Sequence, residues 1–195
     1  MLYLLRHGQS KANISKRYCG ITDVELSPLG FKQAQEAALY FKDITISKVY
    51  SSPLKRAYNT AEAISKAAGV QIKKEECLKE VNFGIFENKT WDEMVAEHKS
   101  ETDNWIELKH KYKFPMGEGY DDIIKRIASF LDNIEDNSVI VSHFGVIQSI
   151  LLYYKIADDE NIWDYIISNC DILVLNNKKF ERIVRIQPIK AIEDC

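Results

Sequence analysis

Short apolar segments alternate with helix-patterned segments along this chain, and this alternation restricts its fold more than any other feature. The predicted elements of the first half are strands over 2–5, 46–51 and 70–72 and helices over 28–41 and 53–68. Ser27-Pro28 and Ser52-Pro53 each place an N-cap residue before a proline at the first helical position, and Gly69 ends the second helix. The alternation predicts an α/β three-layer sandwich, with helices flanking a mostly parallel central sheet.

The second half continues the same pattern after an interruption. Its predicted elements are a helix over 120–135, a strand over 139–141, a helix over 146–154, and antiparallel strands over 172–175 and 182–186. Before them, residues 77–119 are rich in aromatic and charged side chains, and we interpret them as a lid-like insertion over the site. The helix within it, over 90–111, is equally consistent with a solvated surface helix. Without an internal repeat, residues 1–195 are predicted to form a single domain.

Charge and cysteine content exclude several classes of protein. The chain has 195 residues, 46% of them hydrophobic, and a net charge of −3, so no overall positive field favours nucleic acid or an anionic membrane. No apolar run approaches the roughly 18 residues that cross a bilayer, and we expect no secretory leader before the first strand. The cysteines lie far apart without a Cys-x-x-Cys pair: Cys19, Cys77, Cys170 and Cys195. We therefore expect a cytoplasmic protein with free thiols.

Histidines follow two of the predicted strands. Arg6-His7-Gly8 comes directly after the first strand, and Ser142-His143-Phe144-Gly145 follows the strand over 139–141. Because parallel strands bring their carboxyl ends to one edge of a sheet, both histidines can face one crevice. Histidine can attack phosphorus, and a guanidinium holds phosphoryl oxygens with paired hydrogen bonds. The pattern favours phosphoryl transfer in which one histidine is the nucleophile and the other stabilises the growing negative charge.

A third turn, Ser51-Ser52-Pro53-Leu54-Lys55-Arg56, directs Arg56 towards the same edge of the sheet. Backbone N–H groups at the start of the helix after His143 would add further donors for an anion. Taken singly, Arg56 is more typical of a surface ion pair, and His143 is as typical of a buried structural histidine. The interpretation as a site depends on the three turns together.

Five ordered segments carry a further pattern. They are Arg6-His7-Gly8-Gln9-Ser10 with Asn13; Gly20, Asp23, Leu26-Ser27-Pro28 and Gly30 with Gln33-Ala34; Ser51-Ser52-Pro53-Leu54 with Arg56, Ala57 and Thr60-Ala61; Leu78-Lys79-Glu80-Val81-Asn82-Phe83-Gly84; and Val141-Ser142-His143. In order and spacing they resemble the motifs of the histidine phosphatase superfamily, which includes cofactor-dependent phosphoglycerate mutases, fructose-2,6-bisphosphatase and α-ribazole phosphatase. The resemblance covers nearly the whole chain and implies a phosphoglycerate mutase-like fold.

The resemblance also implies roles for individual residues. His7 would be the phosphorylated nucleophile, and Glu80 the general acid that protonates the leaving oxygen. A carboxylic acid partly shielded by Phe83 and Phe86 could hold its proton near neutral pH and later activate water. The third catalytic residue is His143, and the residues implied to bind phosphate or substrate are Arg6, Arg56, Asn13, Gln9, Cys19, Gly20 and Phe144. This chemistry requires no metal and no other cofactor.

Two histidines lie outside the motifs, and two positions differ from the residues that many members of the family have. We expect His98 and His110, in the charged insertion, to be exposed to solvent. Gly119 stands where many relatives have serine, so the cap of the following helix must be made differently. Gln148 stands where many relatives have arginine, which removes a positive charge near the site. We interpret both substitutions as changes of substrate preference.

Three classes of function are compatible with these residues: a phosphatase, a mutase and a non-catalytic binding protein. A mutase must return the phosphoryl group to a bound anionic product and needs further cationic clamps, whereas a phosphatase only has to admit water. The segment over 106–114 contains Lys109, Lys111 and Lys113 but no arginine pair, which favours the phosphatase. A binding protein would have no need of this set of reactive side chains.

The expected partner is a small phosphorylated metabolite, with no nucleic acid and no membrane. α-Ribazole phosphate is one candidate, because its base could stack among Trp91, Trp105 and Tyr112. Sugar phosphates are almost equally compatible with the pattern. Nothing in the sequence indicates the oligomeric state.

Overall fold

Strands and helices alternate along the chain, as the sequence pattern predicts. The computed structural model describes residues 1–186, so Cys195 and the end of the predicted domain lie outside the described residues. The strands are β1 (Leu2–Arg6), β2 (Arg17–Tyr18), β3 (Lys48–Ser51), β4 (Ile72–Lys74), β5 (Lys89–Thr90), β6 (Ser138–Ser142), β7 (Ile172–Asn176) and β8 (Lys179–Val184). The helices are α1 (Lys11–Ile14), α2 (Pro28–Tyr40), α3 (Lys55–Ala68), α4 (Trp91–Leu108), α5 (Tyr120–Asp132) and α6 (Phe144–Tyr153).

The central sheet has six strands in the order β4-β3-β6-β1-β7-β8. β1 pairs in parallel with β6, and β3 pairs in parallel with both β6 and β4. β7 runs antiparallel to β1 and to β8, which confirms the two antiparallel strands predicted near the C-terminus. In the register of β1 and β6, Arg6 lies opposite Ser142, so the histidines that follow leave the sheet side by side.

Helices cover both faces of this sheet, and the strand side chains alternate between them. Leu4 and Ile140 face the apolar cluster formed with α5 and α6. Leu5 and Val141, one residue further along, face the cluster formed with α2 and α3. All four side chains are fully buried. The predicted three-layer sandwich with a mostly parallel sheet is therefore confirmed. None of the described helices is long and apolar enough to cross a bilayer.

The helix caps agree with the sequence pattern at some positions and differ at others. Ser27 caps α2, accepting from the N–H of Gly30 at 3.0 Å. The predicted cap by Ser52 is wrong, because α3 begins at Lys55 after Leu54, which has no capping side chain. At α5 the N-cap residue Gly119 has no side chain to accept a hydrogen bond, and the contact of the cap comes from within the helix. The side chain of Asp122 accepts from the backbone N–H of Gly119 at 2.9 Å.

The insertion over 77–119 is less regular than predicted. The helix expected over 90–111 ends at Leu108, and His98 within it has non-helical backbone angles. A small two-stranded sheet, β2 with β5, joins the insertion to the polar segment after β1. This small sheet brings residues 17–18 beside the insertion, so both contribute to the surroundings of the strand ends.

Candidate active site

The two histidines predicted to share a crevice lie together at the ends of β1 and β6. The N–H of His7 donates to the carbonyl of Ser142 at 3.0 Å, which extends the strand pairing by one residue. The ring centroids of His7 and His143 are 5.1 Å apart. Both side chains are buried, so any group that they bind must enter from the adjoining cavity.

The protonation of His7 is set by its own backbone. Nδ1 lies 2.7 Å from the carbonyl oxygen of Gly8, which can only accept, so Nδ1 carries the proton. In the neutral ring Nε2 then keeps its lone pair. Burial first, and then the charges of Arg56 and Arg6, lower the pKa of His7 well below its ordinary value. His7 is therefore a neutral histidine with Nε2 available as a nucleophile.

His143 is also neutral, since burial, followed by the charge of Arg56, lowers its pKa well below the ordinary value. Its Nε2 lies 2.9 Å from the hydroxyl of Ser52, in the turn after β3. Within residues 1–186, Nδ1 of His143 has no hydrogen-bond partner. A buried ring nitrogen without a partner is a site for a hydrogen bond to a ligand.

Arg6 lies at the mouth of the crevice. Its Nη1 donates to the carbonyl of Ile167 at 2.9 Å, and the guanidinium lies 5.4 Å from the ring centroid of Phe144. Its Nε is buried and has no partner among the described residues. The guanidinium is thus held at one end and over the ring of Phe144, with a donor to spare for an anion.

Arg56 is almost completely buried and binds the loop over 19–22. Its Nη1 donates to the carbonyl of Thr22 at 2.9 Å, and its Nη2 to those of Cys19 and Gly20 at 3.1 and 2.7 Å. These contacts were not predicted. The guanidinium acts on His7 through its charge and on the loop through its hydrogen bonds.

Glu87 holds the same loop from the other side, and the sequence analysis did not identify it. Its carboxylate accepts from the N–H groups of Gly20 and Ile21 at 3.0 Å each, and from the hydroxyl of Thr22 at 2.6 Å. A Cβ at Gly20 would lie 1.7 Å from the carbonyl oxygen of Val81, so only glycine fits there. The loop is therefore fixed both by its carbonyls and by its N–H groups.

Glu80 brings a carboxyl group to the same place from the segment before the insertion. It accepts from the N–H groups of Val81 at 2.9 Å and Gly145 at 3.3 Å. Burial raises the pKa of Glu80, in spite of these hydrogen bonds and the charge of Arg56, which lower it. A Cβ at Gly145 would lie 2.7 Å from Oε1, so the absence of a side chain there makes room for the acid. The arrangement favours a protonated carboxyl group.

A cavity of about 1020 Å³ opens from this crevice to the surface. The predicted site residues that line it are Arg6, His7, Asn13, Cys19, Glu80 and Phe144. The other four predicted site residues are not among the lining residues: Gln9, Gly20, Arg56 and His143. Gln9 accepts from the hydroxyl of Ser27 at 2.8 Å and so joins the strand end to the cap of α2.

His110 was expected to be exposed, and this expectation is wrong. Its side chain is only 8% exposed and lines the cavity, with Nε2 2.8 Å from Oδ1 of Asp159. Asp159 lies in the loop after α6, so this contact joins the insertion to that loop. His98 is half-buried beside the ring of Phe86, at a centroid distance of 5.9 Å.

The aromatic side chains of the insertion pack on one another. The ring of Trp105 is stacked between those of Phe86 and Tyr112, at interplanar angles of 21° and 20°. Trp91 lies against it at a centroid distance of 5.8 Å. Trp91, Trp105 and Tyr112 all line the cavity, and the stacking of a base among them stays a prediction.

Gln148, which stands where many relatives have arginine, is fully buried and does not face the cavity. Its Oε1 accepts from the hydroxyl of Tyr120 at 2.5 Å, and its Nε2 donates to the carbonyl of Ile162 at 3.3 Å. Burial first, and then the charge of Glu80, raise the pKa of Tyr120. The substitution therefore places a neutral hydrogen-bonded pair beside the acid.

Asn169 is a further residue that the sequence analysis missed. Its Nδ2 donates to the carbonyl of His7 at 2.9 Å and lies 3.4 Å from Oδ1 of Asn13. It joins the backbone of His7 to a residue of the cavity lining. No spacing or composition in the sequence marks it.

Among residues 1–186, no group of three or more His, Cys, Asp or Glu side chains could hold a metal ion.

Comparison with known proteins agrees with this geometry. The family model of the histidine phosphatase superfamily (branch 1) matches residues 2–186. The protein named "Putative phosphoserine phosphatase 2" of Hydrogenobacter thermophilus is 36% identical over 175 residues, which cover 88% of this chain and 86% of that protein. "Phosphoserine phosphatase 1" of the same organism is 28% identical over 188 residues, which cover 94% of this chain and 89% of that protein.

A solved structure extends the similarity to the whole fold. The α-ribazole phosphatase of Shigella flexneri superposes with a TM-score of 0.81 at 25% identity, and the match covers 99% of both chains. The family match runs from the first strand through both strand-end histidines. The chain belongs to the histidine phosphatase superfamily.

Proposed function

We propose that this protein is a phosphomonoesterase that hydrolyses a small phosphorylated metabolite through a phosphohistidine on His7. The observation that carries the proposal is the hydrogen bond from Nδ1 of His7 to the carbonyl of Gly8, because it leaves Nε2 unprotonated in a buried ring. The phosphatases among the relatives support the same class of reaction.

In the first step the lone pair of Nε2 attacks phosphorus, the N–P bond forms, and the P–O bond to the leaving alcohol breaks. An alkoxide leaves poorly, so Glu80 in its acid form gives its proton to the departing oxygen. Arg6, the amide of Asn13 and Nδ1–H of His143 donate to the phosphoryl oxygens as negative charge develops. In this assignment the hydroxyl of Ser52 donates to Nε2 of His143, which keeps the proton on Nδ1.

In the second step a water molecule attacks the phosphorus of phosphohistidine. Glu80, now a carboxylate, takes a proton from the water as the new P–O bond forms and the N–P bond breaks. Inorganic phosphate leaves, and His7 returns to its neutral form. Both steps use only side chains of this chain, and we propose that the activity is independent of metal ions.

Phosphoserine is the first substrate to test, because two relatives from Hydrogenobacter thermophilus carry that activity in their names. α-Ribazole phosphate and sugar phosphates follow it. A small substrate is favoured over a phosphoprotein because His7 and Glu80 are both buried at the inner end of the cavity. The free thiols of Cys19, Cys77 and Cys170 are consistent with a cytoplasmic location.

The test is a hydrolysis screen over phosphoserine, α-ribazole phosphate, sugar phosphates, 3-phosphoglycerate and p-nitrophenyl phosphate, with and without chelator. We expect His7→Ala to lower kcat/KM about a thousandfold or more, since it removes the atom that attacks phosphorus. Acid-labile phosphate should be trapped on the wild type and be absent from His7→Ala. The matched control is His98→Ala, which removes a histidine outside the cavity and should leave activity unchanged.

Hydrolysis that survives in His7→Ala would reject the phosphohistidine, and loss of activity with chelator would reject independence from metal ions. The alternative function is phosphoryl transfer of the cofactor-dependent phosphoglycerate mutase type. Mutase activity stimulated by 2,3-bisphosphoglycerate and exceeding hydrolysis would replace the phosphatase assignment with this alternative.

A further inference from the structure

Arg126 of α5 donates to three backbone carbonyls of the segment that carries Glu80. Its Nη2 lies 2.7 Å from the carbonyl oxygen of Lys79 and 3.3 Å from that of Glu80, and its Nη1 bonds the carbonyl of Cys77. Residues 79–83 form neither helix nor strand, so no regular backbone pairing holds them. The guanidinium supplies these carbonyls with hydrogen bonds of the kind that backbone N–H groups supply within helices and sheets.

Glu118 completes the attachment. Its carboxylate binds Arg126 with two hydrogen bonds, from Nε at 3.0 Å and from Nη2 at 3.2 Å. The same carboxylate accepts from the N–H of Asn82 at 3.0 Å, and the N–H of Glu118 donates to the carbonyl of Asn82 at 2.9 Å. The ion pair therefore holds the backbone on both sides of Glu80.

We propose that Arg126, held by Glu118, is a positioning residue that fixes Glu80 where it can protonate the leaving group. Arg126 does not line the cavity and acts only through the backbone of the segment that it binds. This inference rests on the proposed function, because it assumes that Glu80 is the general acid. It assigns a use to an ion pair that no step of the proposed mechanism requires.

The planar guanidinium suits this position better than any other cation. All its nitrogens can donate in one plane, so one side chain reaches three carbonyls and a carboxylate at once. A lysine ammonium is a point charge with three donors on a flexible stem and cannot keep the same set of contacts. Arg126→Lys thus retains the charge and removes the geometry.

Displacement of Glu80 should affect substrates differently according to their leaving groups. An alkyl phosphate needs a proton on its departing oxygen, whereas nitrophenolate leaves without one. The ratio kcat/KM reports the steps up to the departure of the leaving group, so it isolates this proton transfer from the later attack of water. Substitution of a residue needed only for folding would lower kcat/KM for the alkyl ester and for the nitrophenyl ester by the same factor.

The experiment compares wild type and Arg126→Lys on p-nitrophenyl phosphate and on the best alkyl phosphomonoester of the screen. We expect kcat/KM for the alkyl ester to fall about tenfold or more, and that for the nitrophenyl ester by less than about threefold. The basic limb of the pH profile for the alkyl ester should move to lower pH, because a loosened Glu80 is better hydrated and loses its proton more easily.

Two further variants keep the test decisive. Glu118→Gln retains Arg126 and weakens its anchor, so it should show the same preference for the nitrophenyl ester in smaller measure. It decides the question if Arg126→Lys does not fold, as judged by circular dichroism and thermal unfolding. Arg182→Lys changes a surface arginine of β8, paired with Glu181, and should leave both ratios unchanged.

Equal losses on the two esters in the folded variants, or no loss at all, would overturn the positioning role. Failure of the proposed function is recognised separately. A wild type that hydrolyses neither ester, or a His7→Ala variant as active as wild type, would reject the phosphohistidine mechanism and the inference with it. Full wild-type activity without a selective loss in the variants rejects the inference alone.

Discussion

The pKa values of His7 and Glu80 are both shifted in the direction that favours the neutral form, and the same physical cause accounts for both shifts. Removal from water disfavours whichever form of a group is charged, so burial lowers the pKa of the histidine and raises that of the carboxyl group. The neutral forms are the ones that the proposed first step uses, a nucleophile with a lone pair and an acid with a proton. In the proposed first step, His7 and Glu80 become charged only when they react with the substrate.

The pH dependence of kcat/KM should reflect both groups, with His7 responsible for the loss of activity at low pH and Glu80 for the loss at high pH. Activity falls as pH drops through the lowered pKa of His7, because the ring becomes protonated, and as pH rises through the raised pKa of Glu80, because the acid is lost. In Glu80→Gln we expect a lower plateau without the basic limb for an alkyl ester. The measurement is the kcat/KM profile of both enzymes on one substrate, so that the ionisation of the substrate is common to both. An unchanged basic limb in Glu80→Gln would assign it to another group.

The position of the strand-end residues at one edge of the sheet could be predicted, whereas the residues that bind the surrounding backbone segments could not. Arg6, His7 and His143 follow apolar strands directly, so chain order alone places them at one edge of the sheet. Arg126 and Glu87 instead bind backbone atoms of segments remote in sequence, and a backbone partner leaves no trace in residue types. The one available signal was an arginine between Ile123 and Ile127, two of the three buried positions of α5.

At the scale of elements, the site depends on a loop without secondary structure of its own. The carbonyls of the 19–22 loop are bound by Arg56 from α3, and its N–H groups by Glu87 after the short turn over 84–86. Both backbone groups of Gly20, the buried residue of this loop, have hydrogen-bond partners, so Gly20 lies beside the cavity without unpaired backbone polar atoms. Cys19, at its start, reaches the cavity lining.

Glu87→Gln should loosen this loop. The amide NH₂ of glutamine would face N–H donors in place of a carboxylate oxygen, so we expect the free energy of unfolding to fall by about 1–3 kcal/mol. We also expect KM to rise, since the loop borders the cavity. Urea unfolding and steady-state kinetics measure the two effects. Glu62→Gln, on the exposed face of α3, is the control and should change stability by less than about 0.5 kcal/mol. Equal stability of the two variants would contradict the expectation.

Helices with a regular apolar repeat or a capping residue could be predicted from the sequence. Elements that form only through contacts with distant segments could not. The apolar stripe of α5 and the capped start of α2 mark these two helices in the sequence. β2 and β5 have two residues each, too short for any alternation, and they pair only because the insertion folds back. The interruption of α4 at His98 likewise has no glycine or proline to announce it.

At the scale of the whole molecule, the centre of the sheet and the insertion differ in how they are held. β1 and β6 each pair with a strand on both sides, and their side chains join the cores on both faces. The insertion packs against one of these cores only, through residues such as Phe86 and Met94. Its main helix is interrupted at His98, so part of its backbone lacks regular helical geometry.

Native-state hydrogen exchange should therefore resolve two levels of opening. We expect amides of α4 to exchange through an opening of lower free energy than those of β1 and β6, which should exchange only on global unfolding. The dependence of exchange rates on denaturant distinguishes the two. Protection of α4 equal to that of the central strands would show that the insertion and the sheet unfold as one unit.

The register between β1 and β6 fixes the positions of the two histidines relative to each other. Since Arg6 is paired with Ser142, His7 and His143 emerge at one level and towards one side. One residue added to or removed from either strand would put a neighbour in the place of a histidine and exchange the buried faces as well. The strands can accept changes of side chain, but not of length, without separating the pair.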